Sequence, residues 1–123
     1  MTKAKLTTLG AEARRELASM CSSIKHDDEQ EPTVVAQQAF DEIVEVLDWC
    51  RWEANEFEIG VYEGKSNGIE LVLTHEGTRK RLAFNIDGEG KVELSQVYKD
   101  VQKRRVTVNG MEPHKLKSWV VAA

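Results

Sequence analysis

The chain has 123 residues, of which 41% are apolar and 31% charged, with a formal net charge of −4. A length of this order suits one domain with a sizeable core, and the apolar and charged shares argue against both a disordered chain and a membrane-embedded one. Charge is sorted along the sequence: residues 27–63 hold twelve acidic residues and one basic residue, Arg51, a local net of −11, whereas residues 1–26 and 64–123 carry net +3 and +4.

The first residues contain no apolar run that could act as a signal peptide, and no segment has the length needed to span a bilayer. A cytoplasmic location is therefore expected, with no membrane partner. Leu6, Leu9, Ala13, Leu17, Met20 and Ile24 step by three or four residues. This spacing predicts an amphipathic helix from about Thr8 to Lys25, capped by Thr7 or Thr8. Cys21 lies on or beside its apolar stripe, as Cys50 does on the next helix. Both are expected to be reduced, buried thiols rather than a redox pair or metal clip.

Residues 26–31 read as a polar connector. A second helix starts at Pro32 or Thr33, where the missing proline N–H costs nothing and the preceding acidic run favours the positive helix end. Ala36, Phe40, Ile43, Leu47, Cys50, Ala54 and Phe57 recur at alternating steps of four and three, a seam of coiled-coil spacing. The short connector predicts an antiparallel helical hairpin.

From Phe57 the period changes to two. Phe57, Ile59 and Val61 alternate with Glu58, Gly60 and Tyr62, as in a half-buried strand. Turn signals follow at Gly64 to Gly68, at Glu76-Gly77 and at Asp87 to Gly90. They separate strands built on Ile69, Leu71 and Leu73, then Leu82, Phe84 and Ile86 with Arg79, Arg81 and Asn85 on the alternate face, then Val92 and Leu94. Residues 95–105 read either as a short helix across Val97, Tyr98 and Val101 or as extended chain. A short strand at Val106 and Val108 follows. Glu112-Pro113 signals a short C-terminal helix carrying Leu116, Trp119 and Val120. The expected fold is a single α+β domain over residues 1–123, with an N-terminal antiparallel helical hairpin packed on an antiparallel meander of about four or five strands and a short C-terminal helix.

The patterns of most enzyme sites are missing: no phosphate loop with its lysine, no Gly-x-Ser-x-Gly and no His-Glu-x-x-His. Gly88 and Gly90 fit a hairpin turn better than a nucleotide loop. His26, His75 and His114 stand apart, with no second ligand at metal spacing. Asp41 with Glu45, and Glu42 with Glu45, share a helix face, where such carboxylates are expected to be solvated. No catalytic residue, metal or cofactor is expected.

A stripe flanking the second helix's seam interleaves carboxylates with large aromatics: Glu42, Glu45, Val46, Trp49, Trp52, Glu53 and Glu56. Tryptophan is prominent among residues that dominate binding energy, and surrounding carboxylates steer a basic partner. The first functional expectation is a non-enzymatic interaction module, of an inhibitor, immunity or chaperone-like kind, that binds a basic protein surface with Glu42, Glu45, Trp49, Trp52, Glu53 and Glu56. The bland alternative packs the indoles on the sheet and leaves the glutamates wet.

Arg79, Arg81, Lys103, Arg104 and Arg105 suggest a nucleic-acid accessory role through phosphate contacts, with Tyr98 the one obvious stacking aromatic nearby. The acidic pI of about 5.4 opposes that reading, and the same residues could instead blunt a solvated sheet edge. A small-ligand pocket between helices and sheet is a third expectation. The polarity of the chain would also suit a homodimer.

Overall fold

The computed structural model describes residues 8–23, 31–49, 56–98, 101–109 and 114–115. Two helices, α1 (Leu9–Ser23) and α2 (Val34–Trp49), precede strands β1 (Phe57–Glu63), β2 (Ile69–His75), β3 (Arg81–Ile86), β4 (Val92–Tyr98) and β5 (Val101–Thr107). The strands form one antiparallel sheet in the order β1-β2-β3-β4-β5, so each pairs with its neighbour in the chain. The expected helical hairpin and meander are both present.

Both helices begin at threonine caps. The Thr8 hydroxyl oxygen accepts the Ala11 N–H at 3.0 Å, and the Thr33 hydroxyl oxygen accepts the Ala36 N–H at 3.0 Å. Each satisfies a first-turn donor that has no partner inside its helix. On α1, Leu9 and Ala13 are buried and Leu17 and Met20 partly so, while Arg14, Arg15 and Ser19 are exposed. On α2 the expected seam is buried at Ala36, Phe40, Ile43 and Leu47 and is joined by Val44. Cys50 and Ala54 lie outside the described residues, and Phe57 is the first residue of β1.

The helices cover one face of the sheet, with α1 against β1 and α2 and with α2 reaching β2 and β3. Beneath them Ile69, Leu71, Leu73, Leu82, Phe84, Ile86, Val92 and Leu94 are buried at every second position, as the two-residue strand period requires. This layer is closed apolar packing; truncating a ring such as Phe40 to alanine would cost roughly 3–5 kcal/mol. The expected pocket between helices and sheet does not appear among these residues, since Phe40, Leu71 and Phe84 meet there with no exposed surface.

The opposite face carries Glu58, Tyr62, Arg81, Asn85, Arg105 and Thr107 in the open. Between them a row of smaller residues crosses the sheet in register: Gly60, Val72, Ala83 and Ser95, ending at Arg105. No described element packs on this face.

Several sequence expectations are corrected. Of the two readings of residues 95–105, the extended one holds for residues 95–98 and 101–105 and the helical one does not: Val97 and Tyr98 close β4, and Val101 opens β5 and pairs with Tyr98. β-Branched and aromatic residues suit a sheet ladder better than one isolated helical turn. A C-terminal helix is not shown; His114 and Lys115 are helical, while Leu116, Trp119 and Val120 lie outside the described residues. Arg79 is not on a strand: it sits in the β2–β3 turn with φ of 63°. Nor does Arg81 blunt an edge, because β3 is the central strand.

The turn from residue 64 to residue 68 also differs in detail. Its positive φ angles fall at Ser66 (54°) and Asn67 (60°), one residue earlier than an Asn-Gly step at 67–68 would place them. Gly68 is needed for another reason: a Cβ there would overlap the Ile86 carbonyl oxygen. A Cβ at Gly88 would likewise overlap the Ser66 carbonyl oxygen. The two glycines let the β1–β2 and β3–β4 loops touch through their backbones.

Candidate functional site

The outward side of α2 is acidic, but its carboxylates are not equivalent. Arg14 of α1 reaches across to Asp41 (3.6 Å) and Asp48 (3.7 Å). Asp48 also accepts the Gly10 N–H at 2.8 Å, placing its charge at the positive end of α1. Glu42 and Glu45 are exposed and form no ion pair among the described residues. With each residue advancing about 100° around a helix, Val34, Val35, Gln38, Glu42 and Glu45 share an arc of about 100° facing away from the core. Val34 and Val35 are 68% and 48% exposed at the start of the helix. Of the other residues expected in this site, Glu56 is exposed just before β1. Trp49 ends α2, but its side chain, together with Trp52 and Glu53, lies outside the described residues.

The basic residues expected to read phosphates diverge. Arg79 occupies a turn stapled by His75, whose Nδ1 accepts the Thr78 N–H at 3.1 Å. Lys80 stands 6.0 Å over the Tyr98 ring, so the aromatic expected to stack on bases already faces a cation. Arg81 is exposed on the uncovered face. Arg105 is on that same face but is held by Glu93, with Nη2 donating to both carboxylate oxygens at 3.0 and 3.2 Å. The side chains of Lys103 and Arg104 lie outside the described residues. The β5 backbone bulges there: Gln96 faces Arg104 while Val97 faces Gln102, leaving Lys103 unmatched. A bulge twists an edge strand away from easy pairing with another chain.

A concavity of about 340 Å³ opens on the uncovered face, where the β1–β2 and β3–β4 loops meet. Lys65 and Lys91 stand at its rim, Asn85 and Ser95 line it, and the Arg105–Glu93 pair borders it. By sequence alone Gly64 to Gly68 is a turn and Asn85 belongs to a strand's alternate face. The available signal was the combination of a lysine in each loop with polar residues at outward parity on adjacent strands.

Burial raises the Cys21 thiol above its ordinary value, and the Glu31 carboxylate adds to that effect. The sulfur is therefore a protonated thiol at neutral pH, not an activated nucleophile. Among the described residues no three His, Cys, Asp or Glu side chains gather as a metal cage would require, and no described helix is long and apolar enough to cross a membrane. No protein-family model matches the chain, and no curated protein or solved structure matches it significantly.

Proposed function

We propose that the chain is a non-enzymatic interaction module, of an inhibitor, immunity or chaperone-like kind, that binds a basic protein surface through the outer face of α2. The observation that carries this reading is the division of labour among the α2 carboxylates. Asp41 and Asp48 are engaged by Arg14 within the fold, whereas Glu42 and Glu45 are exposed on the same helix and meet no cation among the described residues. Exposed charges of this kind mainly steer encounter and select partners by sign, while apolar contact supplies most of the holding energy. Val34 and Val35 offer such contact on the same arc.

A photo-crosslinking residue at Gln38 should capture the partner from the native host, and one at Thr107 on the uncovered sheet face should not. With the captured protein in hand, Glu42→Lys combined with Glu45→Lys should slow association by roughly tenfold or more at low salt, and the difference should shrink as salt screens it. Equal association rates for wild type and the double variant at low salt would remove the basis of this placement. A nucleic-acid role draws less support, because Arg79 lies in a turn, Lys80 stands over Tyr98 and Arg105 is occupied by Glu93.

A further inference from the structure

The concavity at the loop-bearing end of the uncovered sheet face has a consistent chemistry. Its two carboxylates are already engaged by the protein. Asp87 Oδ1 accepts the backbone N–H groups of Glu89 and Lys91, each at 2.9 Å, and Glu93 is held through both oxygens by Arg105. The cations are not matched in the same way: the ammonium groups of Lys65 and Lys91 form no ion pair among the described residues.

Beside the lysines, Ser95 is only 8% exposed, and its hydroxyl has no hydrogen-bond partner among the described residues. A buried hydroxyl without a partner is costly unless something outside the fold bonds it. Among the described residues no side-chain N or O atom that is sealed from solvent lacks a partner, so this oxygen keeps a small accessible surface, and Ser95 lines the cavity. The Asn85 amide, exposed and without a hydrogen-bond partner among the described residues, stands two residue pairs along the sheet from the Ala83–Ser95 pair, on the same face. Two lysines, a serine and an asparagine thus line one hollow.

We infer that this hollow is a binding site for a small phosphate monoester, its phosphoryl group held between Lys65 and Lys91 and bonded by Ser95 and Asn85. The donor set points to an anion held by point charges. A guanidinium fork would read a carboxylate or a phosphate bidentately, and the Arg105 fork is occupied by Glu93. Ammonium groups act as point charges with freely turning donors, and coming from two loops they suit a tetrahedral dianion. The volume exceeds that of the phosphoryl group alone and falls at the lower end of the range of small-molecule sites, about 300–1,000 Å³. The site lies on the face opposite α2 and does not depend on the partner proposed for that helix.

Titration of the labelled full-length protein with inorganic phosphate and with glycerol 3-phosphate, at ionic strength matched by chloride, tests this by amide chemical shifts. Saturable shifts are expected at Lys65, Lys91 and Ser95. Affinity should fall about threefold to tenfold on Lys65→Met or Lys91→Met, both at exposed positions where the fold does not need the charge. Glu93→Gln, which frees Arg105 and removes a negative charge, should tighten binding. Shifts reproduced by chloride alone, binding unchanged by both lysine variants, preference for succinate, or a response confined to a short oligonucleotide phosphodiester would each overturn the assignment.

Discussion

The Thr33 hydroxyl donates to the Gly88 carbonyl oxygen at 2.6 Å while its oxygen accepts the Ala36 N–H. The Thr33 backbone N–H meets the Asn67 carbonyl oxygen at 3.0 Å. One side chain and its own amide thus cap α2 and tie it to both loops that frame the concavity. Thr33→Val keeps the shape and removes the hydroxyl, and should cost about 1–2 kcal/mol in denaturant unfolding. Thr33→Ser should retain most of that stability. In hydrogen exchange the valine variant should lose protection at Ala36, beyond any change at the far end of the sheet.

Gly68→Ala brings a methyl against the Ile86 carbonyl oxygen, a backbone atom that cannot swing aside. The expected cost is about 1–3 kcal/mol, the range for forcing extra volume into packed structure. Shift changes should appear in both loops, because the Ser66 carbonyl oxygen also rests on Gly88. A stability equal to wild type would show that the loops separate without penalty.

Gly10 reverses an ordinary rule. Alanine for glycine inside a helix normally stabilises by about 0.8–1 kcal/mol. Here a Cβ would overlap the Asp48 carboxylate that receives the Gly10 N–H. Gly10→Ala alone should therefore be neutral or destabilising, whereas in an Asp48→Ala background it should stabilise by roughly the ordinary amount. A double-mutant cycle of unfolding free energies reads this coupling directly. Independent, additive effects would contradict the contact.

Cys21 gives a pH dependence whose sign is fixed. Burial, with Glu31 adding to it, raises the folded thiol above its ordinary value. As pH climbs past the unfolded thiol's value of about 8.5, the unfolded chain loses its proton first. The folded state then holds more protons, so stability is intact below that pH and falls above it. The decline should be shallower in Cys21→Ala than in wild type when both are unfolded by denaturant from pH 7 to 10. Parallel curves would mean that the thiol is as free to ionise in the fold as out of it.

Much of the architecture was legible because local periodicity and burial agree. The step of four and three through Ala36, Phe40, Ile43 and Leu47 is the buried side of α2, and the alternation through Leu82, Phe84 and Ile86 is the buried side of β3. Residues 95–105 were harder to read, because Val97, Tyr98 and Val101 satisfy either period over so short a span and only pairing across the ladder decides. The candidate sites were legible in part. Glu42 and Glu45 are exposed as helical spacing implies, but no pattern along the chain reveals that Arg14 occupies Asp41 and Asp48 instead. Lys65 and Lys91 stand far apart in sequence, and backbone contact at Gly68 and Gly88 is what makes them neighbours.

The meander has a consequence for how the chain acquires its shape. Strands that pair only with their sequence neighbours close short loops, the condition under which sheets form fastest. The helices precede every strand, and although α1 packs on α2, the buried residues of β2 and β3 that complete the core come later in the chain. The hairpin of helices thus emerges with only part of its apolar cover. The strands supply the rest, each closing on the one made just before it.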